Sequence, residues 1–258
     1  MNAPENKFLK ASHDVPHAAP FTGEMAGAKH IGQAIPRPNL ERLVEGRGQY
    51  VDDIELPRMA HVVYWRSPVA HARIVHIESA YARMMPGVLA VYTGHDLAAI
   101  CKPWVATLTH LAGLKSAPQY PMAIDRMHWQ GEPVVAVVGK TRAEAEDALQ
   151  YIQVEWEDLP AALDMNTALD PDTAVIHPEL GDNLCFKRSL DTGGVDEAFA
   201  QADAVAEATF EFGRHTGVTL EPRCQVADWN PGDQRLTVYH SFQAPHMMQD
   251  LYARQFDL

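Results

Sequence analysis

Few residues in this chain have a type and spacing suited to chemistry. His71 and His76 lie close together in sequence, but neither their spacing nor a neighbouring group of carboxylates matches a metal site. Packing or surface hydrogen bonding is therefore predicted for both. Asp52 and Asp53 are adjacent, and adjacent side chains on an extended chain point to opposite faces. A loop or cap role is favoured over a paired-carboxylate site.

Glycines and cysteines offer two further candidate sites. Gly46 and Gly48 suggest a phosphate-binding loop, but no predicted strand precedes them and the third glycine is absent, so a turn is predicted. Cys101, Cys185 and Cys224 are far apart and form no CxxC pair. This pattern excludes an iron–sulfur cluster or zinc site held by these cysteines alone, and it indicates a reducing compartment.

Composition limits the possible classes of protein. The chain has 258 residues, 47% of them hydrophobic, and a formal net charge of −13. This length suits one large domain or two ordinary ones, and the acidic balance argues against a nucleic-acid or anionic-membrane surface. No apolar run reaches the roughly 20 residues needed for a membrane span, and residues 1–20 resemble no export signal. A cytoplasmic protein is predicted.

The clearest local structure is predicted between Gln130 and Leu163. The apolar run Pro133–Val138 indicates a strand buried on both faces, and Thr141 with Glu144 forms a capping box at a helix start. The predicted helix has one apolar stripe, formed by Ala145, Ala148, Leu149 and Ile152. A strand with one solvent-exposed face is predicted to follow, with Ile152, Val154 and Trp156 at its apolar positions. We therefore predict an α/β unit with a right-handed crossover.

Other elements are predicted on both sides of this unit. Upstream, the strands are His61–Arg66, Ala72–Ile77 and Val88–Tyr92, with a helix over Ser79–Met85 and a cap at Thr93 and Asp96. Downstream, the pattern predicts a helix over Val195–Ala202, a strand through Ala206, Ala208, Phe210 and Phe212, a hairpin of Gln225–Trp229 with Leu236–Phe242, and a helix beginning at Met247, Met248 and Leu251.

Motifs in a fixed order now point to a family. They are Leu43–Asp53 with Arg66–Ile74 and Met85–Val88; Gln130–Val134 with Glu155–Ala161; Thr219–Arg223; and Phe242–His246. In this order they resemble the N-terminal portion of a molybdenum hydroxylase large subunit, the family of xanthine dehydrogenase, aldehyde oxidase and carbon monoxide dehydrogenase. The resemblance covers roughly residues 32–258.

The resemblance implies the fold class and domain order. An N-terminal arm (1–31) would precede an α/β (α+β) hammerhead domain (32–165). A linker (166–203) would lead to the beginning of a molybdopterin-binding domain (204–258). The Phe-Gln-Ala-Pro-His run is most similar to the carbon monoxide dehydrogenase-like branch, although the substrate stays open between carbon monoxide, an aldehyde, a purine and an N-heterocycle.

The resemblance also implies a cofactor, a reaction and partners. The cofactor would be molybdenum–molybdopterin, in its cytosine dinucleotide form. In the family, metal-bound hydroxide attacks the substrate and hydride passes to a sulfido ligand. Electrons would leave through an iron–sulfur small subunit to an FAD-binding medium subunit, and the rest of the large subunit would be a further partner.

Among single residues, only Gln243 carries over from the family, as an amide donor to the apical metal oxo group. From the residues alone, Gln243 could instead cap the following helix or satisfy buried backbone. Glu221 is read as structural, with Arg223 as its predicted partner, and His246 as structural at a helix start. The general-base glutamate is expected beyond Leu258. The alternatives are a non-catalytic module that docks iron–sulfur and flavin subunits, or one half of a split large subunit.

Overall fold

A computed structural model describes residues 40–105, 108 and 111–258. Its six α-helices in the described chain are α1 (Leu40–Val44), α2 (Ala80–Met84), α3 (Gly94–Ala98), α4 (Arg142–Leu149), α5 (Val195–Ala200) and α6 (Pro245–Phe256). The strands in the same residues are β1 (His61–Arg66), β2 (Ala72–Glu78), β3 (Val88–Thr93), β4 (Arg126–Met127), β5 (Pro133–Gly139), β6 (Gln153–Asp158), β7 (Gln225–Asn230) and β8 (Arg235–His240). Short 3-10 turns cover Val51–Asp53 and Pro178–Leu180.

The first sheet is built around β5. Its order is β1-β5-β3, and both pairings are antiparallel. Val134, Val135 and Val137 are fully buried, as expected of a central strand covered on both faces. Helix α4 packs against this sheet and buries Ala145 and Ala148, which confirms the buried strand and the apolar helix stripe.

The second sheet corrects the predicted crossover. Strand β6 pairs with β2, not with β5, in an antiparallel sheet of order β4-β2-β6. The predicted strand, helix and strand are present, but the predicted right-handed crossover is wrong, because the strands on either side of α4 lie in different sheets. The indole rings of Trp65 on β1 and Trp156 on β6 lie 6.1 Å apart between centroids and bring the two sheets together.

Both predicted helix caps are present. The Glu144 carboxylate accepts from the Thr141 backbone N–H at 3.0 Å, and the Thr141 hydroxyl accepts from the Glu144 N–H at 3.2 Å. At α3 the Asp96 carboxylate accepts from the Thr93 N–H at 2.7 Å. These bonds satisfy backbone donors that have no partner inside the first helical turn.

Replacing Thr141 with alanine is expected to lower the free energy of unfolding by about 0.5–2 kcal/mol. The hydroxyl that accepts from Glu144 is lost, and α4 covers the central sheet. Chemical denaturation followed by tryptophan fluorescence measures the change. Thr209→Ala is the matched control, because Thr209 is exposed outside any helix or strand; equal stability of the two variants would contradict the prediction.

Downstream of the hammerhead sheets, one predicted pair of strands is present and another predicted strand is absent from the described structure. Strands β7 and β8 form the predicted antiparallel hairpin, and α6 follows as predicted. The predicted strand through Phe210 and Phe212 is wrong: residues 203–219 form no strand, and these two side chains are 89% and 86% exposed. An alternating pattern gives a strand only where a neighbouring strand can pair with its backbone.

Contacts divide the chain into residues 1–50 and residues 51–258. Within the first unit, α1 is followed by Gly46, whose φ of 72° lies in the left-handed region and fits the predicted turn. The predicted arm over residues 1–31 lies outside the described residues.

Candidate functional site

Gln243 lies on a short loop between the hairpin and α6. Ala244 is the N-cap residue and Pro245 the first helical residue, and no side chain caps this end of α6. The alternative that Gln243 caps the helix is therefore wrong. Its side chain is exposed and makes no hydrogen bond to any residue that the structure describes, so the amide remains available to donate outward.

His240 joins the hairpin to α6 beneath this loop. Its Nε2 lies 2.9 Å from the Gln225 amide nitrogen, and its Nδ1 lies 3.1 Å from the Tyr252 hydroxyl. Because an amide nitrogen can only donate, Nε2 accepts and the proton resides on Nδ1. Burial raises the pKa of Tyr252, so its hydroxyl stays protonated. The loop that carries Gln243 is thus fixed at both ends.

A groove runs between β8 and α6. It has a volume of about 410 Å³, and its apolar walls include Leu236, Val238, Phe242, Met248 and Tyr252. Phe242 is half exposed, although its ring stacks on His240 with centroids 5.2 Å apart. The hairpin and helix therefore leave apolar surface uncovered on the side next to Gln243.

The structure gives Glu221 a structural contact with a different partner from the predicted one. Its Oε1 accepts from the backbone N–H of Val51 at 2.9 Å, and no ion pair joins it to Arg223 within the described chain. The contact ties the turn Val51–Asp53 to the segment before β7. His246 is exposed in the first turn of α6, which agrees with the predicted helix-start position.

The other sequence candidates make contacts that do not involve Gln243. His71 is buried, and its Nδ1 lies 2.7 Å from the Pro160 carbonyl oxygen. His76 is exposed on β2, so the predicted packing and surface roles are confirmed. Asp52 lies 3.8 Å from the Cys224 Sγ; burial, and then the negative charge of Asp52, raises the pKa of this thiol. Cys224 is thus poorly suited to be a nucleophile.

One group of imidazole and carboxylate side chains is not evident from the sequence. The imidazoles of His128 and His177 stack with centroids 4.6 Å apart, beside the buried carboxylate of Glu132. Only the i,i+4 spacing of His128 and Glu132 is visible in the sequence, because His177 lies much further along the chain, between β6 and α5. No group of three or more His, Cys, Asp or Glu side chains in the described residues is arranged to hold a metal ion.

Comparison with known families decides the classification. Residues 45–160 match the family described as aldehyde oxidase and xanthine dehydrogenase, a/b hammerhead domain, and residues 176–258 match the molybdopterin cofactor-binding domain. The chain belongs to the molybdenum hydroxylase large-subunit family. The predicted fold, a hammerhead domain followed by a molybdopterin-binding domain, is confirmed.

Relatives within the molybdenum hydroxylase family have different named activities. Over 85% of its own length, this chain is 36% identical to the nicotine 6-hydroxylase large subunit of Paenarthrobacter nicotinovorans. Over 89% of its own length, it is 33% identical to the carbon monoxide dehydrogenase large chain of Afipia carboxidovorans. Among solved structures, quinoline 2-oxidoreductase from Pseudomonas putida 86 superposes with a TM-score of 0.81 at 35% identity, over 86% of this chain.

The chain spans only 27–29% of the length of these three proteins. It therefore matches one portion of each large subunit. None of the helices in the described residues is long and apolar enough to cross a membrane.

Proposed function

We propose that this chain forms the N-terminal part of a molybdopterin-binding large subunit, and that Gln243 contacts the molybdenum cofactor. The observation that carries the proposal is the Gln243 amide. It is exposed, without a partner among the described side chains, and fixed on a loop by the hairpin and α6. The loop lies within the match to the cofactor-binding domain.

The groups around Gln243 fit an anionic, oxygen-rich cofactor. The amide donates without adding a charge that would compete for the metal. The first turn of α6 contains no acidic side chain, and the backbone N–H groups at the start of a helix of this length favour negative charge. The bound group would supply hydroxylation of the substrate with release of two electrons, while Gln243 would orient it through the hydrogen bond.

The uncovered apolar surface supports a further polypeptide as partner. Phe210, Phe212 and Leu220 are each more than 85% exposed, and the groove between β8 and α6 is open. Such surface in a soluble protein marks an interface. We assign its cover to the rest of the large subunit, which would also carry the general-base glutamate.

Finer features of the proposal rest on the resemblance alone. They are the cytosine dinucleotide form of the cofactor, the iron–sulfur and FAD-binding partner subunits, the cytoplasmic location and the carbon monoxide dehydrogenase-like branch. Similar proteins are named for nicotine as well as for carbon monoxide, so the branch stays a prediction based on Phe242–His246.

A second candidate function is a non-catalytic assembly module. The hammerhead sheets have their own buried core and could dock iron–sulfur and flavin chains without a cofactor. A split large subunit, completed by a separate chain, would place the same exposed surface against that chain.

Intact mass and metal content of the protein from its native host separate these functions. We expect stoichiometric molybdenum in an assembly that contains this sequence, either in a longer polypeptide or with a tightly bound second chain. A lone chain of this length without molybdenum would contradict catalysis and favour the assembly module.

A further inference from the structure

Three imidazoles and a buried carboxylate lie together beside the loop that joins β4 to β5. His128 directly follows β4, Glu132 directly precedes β5, and His177 lies between β6 and α5. The rings of His128 and His177 are nearly parallel, with planes 12° apart and centroids separated by 4.6 Å. The centroid of the His71 ring lies 6.3 Å from that of His128.

The loop that carries His128 is fixed by Glu132. One carboxylate oxygen accepts from the His128 backbone N–H at 2.5 Å, and the other lies 3.6 Å from the His128 Nδ1. Glu132 is only 5% exposed, and its backbone carbonyl accepts from Ser67 at 2.8 Å. The His128 ring is thus presented by a rigid part of the hammerhead domain.

The segment that carries His177 is compact. The Asn183 side chain accepts from the Ile176 N–H at 3.0 Å and donates to the carbonyls of Ala168 and Ala174, each at 2.9 Å. Residues 168–185 therefore form one folded loop. His177 directly follows Ile176, one of the residues that Asn183 binds within this loop.

Polar contacts with Lys115 also hold this loop on the rest of the protein. The Lys115 backbone N–H donates to the Cys185 carbonyl at 2.8 Å, and the Lys115 ammonium donates to the Leu180 carbonyl at 3.1 Å and pairs with Asp182. This ion pair holds the pKa of Asp182 below its ordinary value, so it persists in mild acid. Of these contacts, the imidazole pair is the one expected to change between pH 8 and pH 5.

The charges around the pair come from several elements. Near His177, the Glu179 carboxylate lies 3.4 Å from the His177 Nδ1. Near His128 lie Glu132 and His71. Asp125 and Arg126 line the same cavity as the two imidazoles, which has a volume of about 250 Å³. Each imidazole thus has one nearby carboxylate. Two protonated rings at 4.6 Å would repel each other, and both are largely removed from water.

We propose that the His128–His177 stack is a pH-sensitive latch, which holds residues 168–185 on the hammerhead domain at neutral pH and releases them in acid. The latch regulates how firmly this loop between β6 and α5 is docked. It rests on contacts inside residues 51–258 and does not depend on a bound cofactor.

The direction of the pH effect follows from His177. Burial, and then the positive charge of a protonated His128, lowers the pKa of His177 below 6.5, despite the opposing effect of Glu179. A group whose pKa is lower in the docked state favours docking above its ordinary pKa. Docking is therefore fully present above about pH 6.5 and is weakened as the pH falls through and below that value.

Hydrogen exchange measured by mass spectrometry from pH 8 to pH 5, corrected for intrinsic rates, tests the latch in the protein purified with its associated chains. Each unit by which docking lowers the pKa of His177 should raise the released population in acid up to about tenfold. We expect peptides within 168–185 to lose protection in acid, while peptides covering β5 keep it.

The variant His177→Phe keeps a stacking ring that cannot be protonated. It should make protection of residues 168–185 independent of pH over this range, and His128→Phe should act in the same way. His76→Phe, at an exposed histidine of β2, should leave the pH dependence unchanged. The latch is overturned if the wild-type loop shows no pH dependence, or if His177→Phe and His128→Phe both retain it.

Discussion

Replacing Gly94 with alanine is expected to lower the free energy of unfolding by about 3 kcal/mol or more, the upper end of the usual cost of overpacking. A Cβ atom at Gly94 would lie 2.0 Å from the carbonyl oxygen of Ala123 and 2.6 Å from its carbonyl carbon. The obstacle is backbone, and it cannot retreat easily, because the Ala123 N–H donates to the Pro133 carbonyl at 2.8 Å, at the start of β5.

Helix propensity acts in the opposite direction at this position. Alanine is favoured over glycine by about 1 kcal/mol inside a helix, and Gly94 is the first residue of α3. The steric cost exceeds this gain, so the sign of the effect is set by the close approach of α3 to the segment before β4.

Thermal and urea denaturation of Gly94→Ala and Gly213→Ala make a matched pair. At Gly213 a Cβ would have no atom within 4 Å and the backbone is not left-handed. That change is expected to alter the stability by no more than about 0.5 kcal/mol. If Gly94→Ala were as stable as Gly213→Ala, then α3 would not pack closely enough on residues 123–124 to exclude a Cβ atom at position 94.

Local elements of the hammerhead domain could be predicted because short-range sequence determines them. Strand β1 has the predicted bounds His61–Arg66, and Thr141 with Glu144 forms the predicted capping box. An apolar run, a cap or a turn needs only a few neighbouring residues. These signals remain valid whatever the chain packs against.

Pairing between elements could not be predicted in the same way. The apolar run of β5 shows that both faces are covered, but the covering strands β1 and β3 come from earlier in the chain and pair antiparallel. At Phe210 and Phe212 the alternation is as clear as in β6, yet no strand forms in the described structure. Pairing partners, rather than local pattern, decide such cases.

The candidate site shows the same limit. Gln243 was identified by resemblance, since an exposed glutamine before a helix has no chemical signature of its own. The group around His128 and His177 was missed, because its residues come from three separated segments. Only the folded chain brings the His177 imidazole against the loop before β5.

Replacing Gln243 with alanine in the assembled enzyme is expected to lower kcat by about 10²–10³-fold, the effect of removing one donor that stabilises developing negative charge. The exposed amide has no structural partner in the described chain, so the fold should be unaffected. The variant is assayed on whichever of carbon monoxide, an aldehyde, a purine or an N-heterocycle the wild-type enzyme oxidises. Molybdenum content is measured in parallel.

Two further variants separate a cofactor contact from a general effect on the loop. Gln243→Glu keeps the size of the side chain but replaces the donor with a negative charge, so it should reduce both activity and molybdenum content. Gln153→Ala, at an exposed glutamine of β6, should change neither.

If Gln243→Ala and Gln153→Ala have the same kcat, then Gln243 does not contact the cofactor. If Gln243→Ala instead loses stability, its role is to hold the loop before α6. Because the wild-type metal content is measured separately, either result leaves the assignment of the chain to a molybdenum-containing subunit intact and changes only the role of this residue.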